Sequence, residues 1–358
     1  MLQLPITYSK LQSDKETQNE NLLNFASFDQ VSKKLEYNLK STLKPHQIQA
    51  VERIVSSNGK LILADDMGLG KTLVAIAVAQ YYNSHLRTPI LVVCPKSMVA
   101  TWQKETIKWC PHSLAKNNGS NITFLNSSTE TFDPELKPPK LSIATYDMFS
   151  RIYENKDLRK LMKNCLLILD ESHACKSPDT NKTKSCLYYA RHVAKFVLLL
   201  SGTPALNRPI ELFSQLEMVR PDIFPGMISS KQFSKRYCDE KVQTLNNGRK
   251  FLTNTGSSNE QELKVYLEAF CMLRRTKHDL VKLPVKIRRI KNLDSNVKSG
   301  DKELVKKMDE ECANAKNSKK LRDAILEFYQ KSAEIKLPVT VDYILKKLDS
   351  IGKGFLQL

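Results

Sequence analysis

Short apolar runs recur along the middle of the chain, with polar and helix-patterned stretches between them. They are LILA at 61–64, ILVVCP at 90–95, LSIATY at 141–146, CLLILD at 165–170 and FVLLLSG at 196–202. Each is nearly continuous rather than alternating, which predicts strands buried on both faces of a parallel sheet. TLVAIAVAQYY at 72–82 is apolar on nearly every turn, as a buried helix requires. Strands alternating with helices predict a doubly wound α/β domain, whose ligands bind at the carboxyl ends of the strands.

After Pro204 the pattern turns helical: PIELFSQLEMV, SKQFSKRYC and NEQELKVYLEAFCML, with a loop at 245–259 among them. Residues 301–336 read as one or two highly charged helices, followed by a helix, a glycine turn and an apolar end, FLQL. The expected division is a polar, loosely attached extension at 1–38, the α/β lobe at 39–295 with a helical protrusion at about 220–275, and a charged helical linker at 296–358.

Charge narrows the partners. The 56 basic and 38 acidic side chains leave +18, which points to a polyanion, nucleic acid before an anionic membrane surface. No apolar run approaches the roughly 20 residues that span a bilayer, and the N-terminal stretch has no long apolar core of a secretory signal. Eight cysteines lie scattered with no Cys-x-x-Cys pair, the usage of free thiols in a reducing compartment. The expected setting is the cell interior, without membrane association.

The candidate chemistry sits at the ends of the apolar runs. LILADDMGLGKT at 61–72 leads a strand through a glycine-rich loop into a helix. That arrangement turns backbone N–H groups and a helix dipole towards an anion. The strict phosphate-loop pattern opens on a glycine, and Asp65 stands there instead. Asp66, Met67, Gly68, Leu69 and Gly70 would line the cradle, with Gly68 and Gly70 letting backbone approach phosphate oxygens. Lys71 would reach the β and γ phosphates and Thr72 would ligate magnesium. CLLILDESH delivers two adjacent carboxylates: Asp170 suits magnesium and Glu171 suits activation of a water. In LLLSGTP, Ser201, Gly202 and Thr203 would stand beside the γ-phosphate as a switch, and Pro204 stiffens the exit. Taken alone, the first of these is a flexible turn and the second an acidic one; their order and spacing favour an ATP site.

In that order these motifs resemble the superfamily-two helicases. LKPHQIQAV, LADDMGLGKT, VVCPKSMVATWQKE, LDESHACKS, LSGTPALNRPIELFSQ and MLRRTKHDLVKLPVK together resemble the Swi/Snf branch of double-strand DNA translocases, and most of all the annealing helicases of the HepA-related, fork-remodelling type. The likeness covers roughly residues 40–290. It implies a RecA-like fold, ATP and Mg2+ as cofactors, a nuclear setting, and double-stranded or branched DNA as partner. A second RecA-like lobe acting in trans, or single-strand DNA-binding proteins, would be further partners. It also makes Asp65 an ordinary opening residue of the loop.

By the same resemblance Gln47 would read the adenine edge and His173 would couple hydrolysis to a facing lobe. Lys96 and Ser97, at a helix start, would meet a DNA phosphate, with Thr145 a second contact. Trp102 reads as a core anchor, and Arg274–Lys277 as a solvated or interlobe segment or a DNA contact. The family's cleft lies between two lobes, the second supplying arginine fingers worth about 10³ to 10⁵ in rate. No such motif follows, and DYILKKLDSIGKGFLQL resembles the linker and first strand of that lobe. The expectation is therefore the ATP-binding lobe of a DNA-dependent translocase. The alternative is a nucleotide-gated DNA-binding module without turnover; a small-molecule kinase fits the Asp-Glu-Ser-His and Ser-Gly-Thr-Pro motifs poorly.

Overall fold

The computed structural model describes residues 27–115, 119, 121–126, 138–205, 208–221, 230–244, 250–254, 256–280, 306, 310 and 318–355. It divides into two units, 1–283 and 284–358.

The first unit is built on a seven-stranded sheet in the order β3-β4-β2-β5-β6-β1-β9. The strands are β1 (Lys60–Leu63), β2 (Ile90–Cys94), β3 (Ile122–Leu125), β4 (Leu141–Thr145), β5 (Leu166–Asp170), β6 (Phe196–Leu200) and β9 (Met272–Leu273). Every pairing in it is parallel. All five residues of β2, β5 and β6 are buried. Alternate side chains feed opposite cores: Leu167 and Leu169 enter one cluster, Leu166 and Ile168 the other. That two-sided burial is why these runs carry no polar alternation. Register brings the strand ends level, with Leu63 opposite both Leu200 and Leu273, and Asp170 opposite Leu200.

Several elements differ from the sequence expectation. Residues 28–42 are not loose: helices Phe28–Ser32 and Tyr37–Thr42 pack Val31, Leu35 and Leu39 onto one core. Their apolar spacing is spread over two very short helices, so no single window reveals a stripe; residues 1–26 lie outside the described residues. β3 went unread because NITFL sits in an asparagine-rich stretch and buries only its two ends. β9 is two residues long and comes from the segment expected to be wholly helical protrusion. The stretch read as a loop at 245–259 holds part of a hairpin, β7 (Lys241–Thr244) against β8 (Lys250–Thr253). β7 is exposed at all four positions, so it shows no hydrophobic face to read.

The helix Ser230–Tyr237 packs on the helix Ile210–Val219 through aromatic side chains. Phe233 lies 5.4 Å from Phe213 and 4.9 Å from Tyr237, ring centre to ring centre. Arg236 then grips Glu262 through Nε at 2.8 Å and a terminal nitrogen at 2.6 Å. In the second unit, Ser318–Phe355 is one helix of 38 residues that runs through Pro338 and past the expected glycine turn. The expected strand-like end is helical as far as Phe355, and 356–358 lie outside the described residues. The seven described cysteines are all buried thiols outside any disulfide.

The packing of residues 28–42 generates a direct test. Leu39 is completely buried, so Leu39→Ala should cost about 2–5 kcal/mol in urea unfolding. A cost within the noise of a surface substitution would mean the two short helices are a detachable extension after all.

Candidate functional site

The carboxyl ends of six parallel strands meet at one edge of the sheet, and each carries a polar group. β1 leads into Asp65–Thr72, β2 into Lys96–Ser97, β4 ends at Thr145, β5 at Asp170, β6 leads into Ser201–Thr203, and β9 into Arg274–Lys277. The last of these had not been expected to belong here.

In the loop after β1, Gly68 and Gly70 both take φ of 81°, the left-handed region that a side chain would strain. At Gly70 space is closed as well: a Cβ there would fall 2.2 Å from Gln47 Nε2. Lys71 and Thr72 open the helix Lys71–Leu86. Lys71 Nζ donates to the Asp65 carbonyl at 2.8 Å and folds back over the loop. Burial lowers the Lys71 pKa, while Glu171, Asp65, Asp170 and Asp66 pull it the other way; burial prevails. Gly202 presses on this loop from β6, where a Cβ would come within 3.0 Å of Met67.

The opening position explains itself. Asp65 is 2% exposed and lies against Arg275. Arg275 Nε donates to Asp65 Oδ1 at 3.0 Å, its other arm to Oδ2, and its backbone N–H to Oδ1 at 3.1 Å. Asp66 N–H donates to the Arg275 carbonyl at 3.0 Å, and Lys277 N–H to Asp66 Oδ2 at 3.0 Å. Arg274 bridges the Ala64 and Gly202 carbonyls, 3.2 Å to each. Arg275 is thus committed to the loop entry, and the reading of Arg274–Lys277 as a solvated or interlobe segment or DNA contact is corrected for it; Arg274 bonds the loop's approach but stays half-exposed.

Asp170 is buried and its carboxylate is held on both sides. Trp102 Nε1 donates to Oδ2 at 2.8 Å and the Glu171 N–H to Oδ1 at 3.0 Å, while the Tyr146 hydroxyl donates to its carbonyl at 2.9 Å. Burial raises the Asp170 pKa and the Trp102 hydrogen bond opposes that rise. Glu171 adopts φ 51°, ψ 53°, left-handed for a residue with a side chain. Strain of this kind costs on the order of 1–3 kcal/mol and persists where a site demands it. Glu171 Oε2 is buried without a hydrogen-bond partner. His173 Nδ1 stands 3.2 Å from it and 3.3 Å from Ser201 Oγ. His173 thus stands between the Glu171 carboxylate and the Ser201 hydroxyl, within ion-pair distance of the first. Ser201 Oγ in turn accepts from the Thr203 N–H at 3.2 Å.

Other expected residues are placed less simply. Gln47 is buried; its Oε1 accepts from the Lys44 N–H at 2.9 Å and its Nε2 donates to the Leu69 carbonyl at 3.1 Å. It therefore braces the phosphate loop, and its amide edge is largely occupied. Lys96 and Ser97 are exposed in a one-turn helix after β2. Thr145 Oγ1 accepts from the Met148 N–H at 3.2 Å, capping the helix Tyr146–Ile152. Sequence reasoning missed Trp102 and Gln215 as parts of the site. Gln215 accepts from Ser172 Oγ at 2.8 Å and donates to the Pro204 carbonyl at 2.7 Å, tying the acidic turn to the Ser-Gly-Thr-Pro turn. Trp102 looked like a core residue because it is one; only its indole N–H signals more. The position of Gln215 within LFSQ on a helix gives no such signal.

Fold and loop together define a RecA-like, phosphate-loop type of domain. Residues 46–336 match the SNF2-related domain family, and the chain belongs to it. It is 35% identical over 320 residues to the SWI/SNF-related matrix-associated actin-dependent regulator of chromatin subfamily A-like protein 1 of Bos taurus, covering 89% of this chain and 32% of that protein. It is 30% identical over 275 residues to the DNA annealing helicase and endonuclease ZRANB3 of Homo sapiens, covering 76% and 23%. The chain thus spans about a third or less of these two relatives. The Sulfolobus solfataricus SWI2/SNF2 ATPase core domain aligns with TM-score 0.51 and 26% identity, over 84% of this chain and 57% of that one. The core of the same organism in complex with dsDNA aligns with TM-score 0.52 and 24% identity, over 88% and 67%, and shares the fold. The Swi/Snf and annealing-helicase resemblance read from the motifs holds.

The Trp102–Asp170 bond makes a pH prediction. Only the ionised carboxylate serves a metal, and the indole donor keeps the Asp170 pKa from rising further. In Trp102→Phe that pKa moves up, so magnesium-supported ATP binding should fail at a higher pH as the solution is acidified. Affinity titrations across the acid range test this; superimposable pH profiles for both proteins would contradict it.

Proposed function

We propose that this chain is the ATP- and magnesium-binding core of a DNA-dependent ATPase of the annealing-helicase type, coupling hydrolysis to movement on, or remodelling of, branched double-stranded DNA in the nucleus. The observation that carries the reading is the convergence of Lys71, Asp170 and Glu171 at level strand ends, with Glu171 Oε2 held 3.2 Å from His173 Nδ1.

The loop amides from Gly68 to Thr72 and the Lys71 ammonium would receive the β and γ phosphates. Thr72 and Asp170 would hold magnesium, which when bound offsets charge on the phosphates. Glu171 accepts the proton of a water aligned on the γ-phosphate, and its fixed backbone and buried oxygen hold it for that purpose. His173 lies between Glu171 and Ser201, so a change at the γ-phosphate is felt at the β6 turn and, through Gln215, at the helix Ile210–Val219. Lys96, Ser97 and Thr145, at the same edge, supply the DNA phosphate contacts, and the surplus positive charge steers the polyanion. The names of the relatives, regulators of chromatin and an annealing helicase, support the DNA and nuclear parts of the reading.

One observation favours the second reading, a nucleotide-gated binding module. The two arginines that contact the loop, Arg274 and Arg275, are committed to Ala64, Gly202, Asp65 and His46. Neither is free to follow a departing phosphate, so this polypeptide by itself should turn ATP over slowly.

Lys71→Ala should weaken ATP binding, whereas Glu171→Gln should bind normally and lose hydrolysis, because one group holds phosphate and the other activates water. Calorimetry together with an ATPase assay, with and without forked DNA, reads both. Unchanged affinity in Lys71→Ala would sink the nucleotide reading; no turnover by the unaltered chain, with or without forked DNA, would favour the gated module.

DNA binding should be sequence-independent and weaken with salt at a log–log slope of about −0.9 per phosphate contacted. Replacing Lys96 with alanine should make that slope shallower by about one contact without creating base preference. Salt-insensitive binding would point to another kind of partner.

A further inference from the structure

The segment Leu267–Lys277 crosses from the protrusion to the phosphate loop and is held along its whole length. Leu267–Cys271 forms a wide π-helical turn. Arg53, on the same helix as Gln47, donates to the Ala269 carbonyl, and Arg220 donates to the Phe270 carbonyl at 3.2 Å. Met272 and Leu273 then pair with Ile62 and Leu63 of β1. Beyond the strand, three of the next four residues attach to the loop or its approach, while Thr276 bonds Asp279. Arg274 takes two carbonyls, Arg275 the Asp65 carboxylate, the Arg275 carbonyl the Asp66 N–H, and Lys277 N–H the Asp66 carboxylate. Arg275 also reaches the His46 carbonyl at 2.6 Å, beside Gln47.

We infer that Asp65 and Arg275 are a positioning pair for nucleotide: they set the entry of the phosphate loop where the opening glycine is absent, so that the geometry of the loop depends on the strap at Arg274–Lys277. Asp65 and Arg275 touch the loop and not the phosphates; they act through the backbone of Asp65 and Asp66, the same carbonyls that Lys71 meets at 2.8 and 3.4 Å. A glycine at position 65 would satisfy the strict loop pattern, yet it would free the turn, strand the guanidinium and loosen the carbonyls that hold Lys71. A lysine at 275 keeps the charge without the planar fork that spans both carboxylate oxygens. This inference rests on the nucleotide reading above, and Lys71→Ala separates the two failures.

The test measures Mg-ATP affinity by calorimetry on the 358-residue chain, with thermal midpoints of the same samples. Asp65→Asn, Asp65→Gly and Arg275→Gln should each weaken affinity by about tenfold or more, as loss of a group that orients a ligand-binding one does. Arg275→Lys should fall between wild type and Arg275→Gln. The double variant Asp65→Asn/Arg275→Gln should be no worse than the poorer single, because the pair acts as a unit. Lowered midpoints with unchanged affinity would overturn the inference and make the pair a scaffold contact, as would an Asp65→Gly protein that binds as well as or better than wild type. Should Lys71→Ala fail to weaken binding, the nucleotide reading falls first. Hydrogen exchange on the unaltered chain gives an answer independent of variant folding. ATP should slow exchange at the Asp66, Arg275 and Lys277 amides together with Gly68–Thr72; protection of the loop alone would contradict the coupling.

Discussion

A carboxylate buried at the opening of the loop obliges the chain to bring a cation to it. Asp65 is 2% exposed, and an unpaired charge in such a place is not tolerated. Removing one partner of a buried pair costs about 3–5 kcal/mol, a large share of the roughly 5–15 kcal/mol by which domains are stable. Arg275 comes from 210 residues further along the chain, carried by a two-residue strand on the far edge of β1. Much of the odd construction between Leu267 and Lys277, the π-helical turn and the carbonyls gripped by Arg53 and Arg220, serves to deliver that guanidinium. A loop that opened on glycine would carry no such charge to neutralise.

The electrostatics of the site work against its own stability. Burial lowers the Lys71 pKa and raises that of Asp170, so each group is driven away from the charge its task needs. Hydrogen bonds counter this only in part: Trp102 and the Glu171 N–H support the carboxylate, and two backbone carbonyls receive the ammonium. In the proposed reading, phosphates and a divalent cation would complete the balance, favouring ligand over solvent. The left-handed Glu171 adds strain at the same spot. Binding energy is drawn from groups that folding alone leaves unsatisfied.

The central sheet was legible because strands buried on both faces must be apolar throughout, and five of them announce themselves in that way. Motifs at their ends were legible because parallel strands deliver their carboxyl termini to one edge. What stayed hidden was short or acted through a single atom. β9 has two residues, β7 has no buried face, and residues 28–42 divide their apolar contacts between two helices of five and six residues. Trp102 is a core side chain whose importance lies in one N–H. Arg274–Lys277 looked like a solvated basic run because sequence does not show that Asp65, a similarly polar residue, is buried and waiting for it.

A structure of the chain with magnesium and a non-hydrolysable ATP analogue tests the central claim most directly. The account predicts phosphate oxygens on the Gly68–Thr72 amides and Lys71, the metal between Thr72 and Asp170, Glu171 Oε2 facing the γ-phosphate, and Asp65 still gripped by Arg275. Nucleotide bound away from this edge, or a loop that takes up its phosphates only after Arg275 has let go, would contradict it.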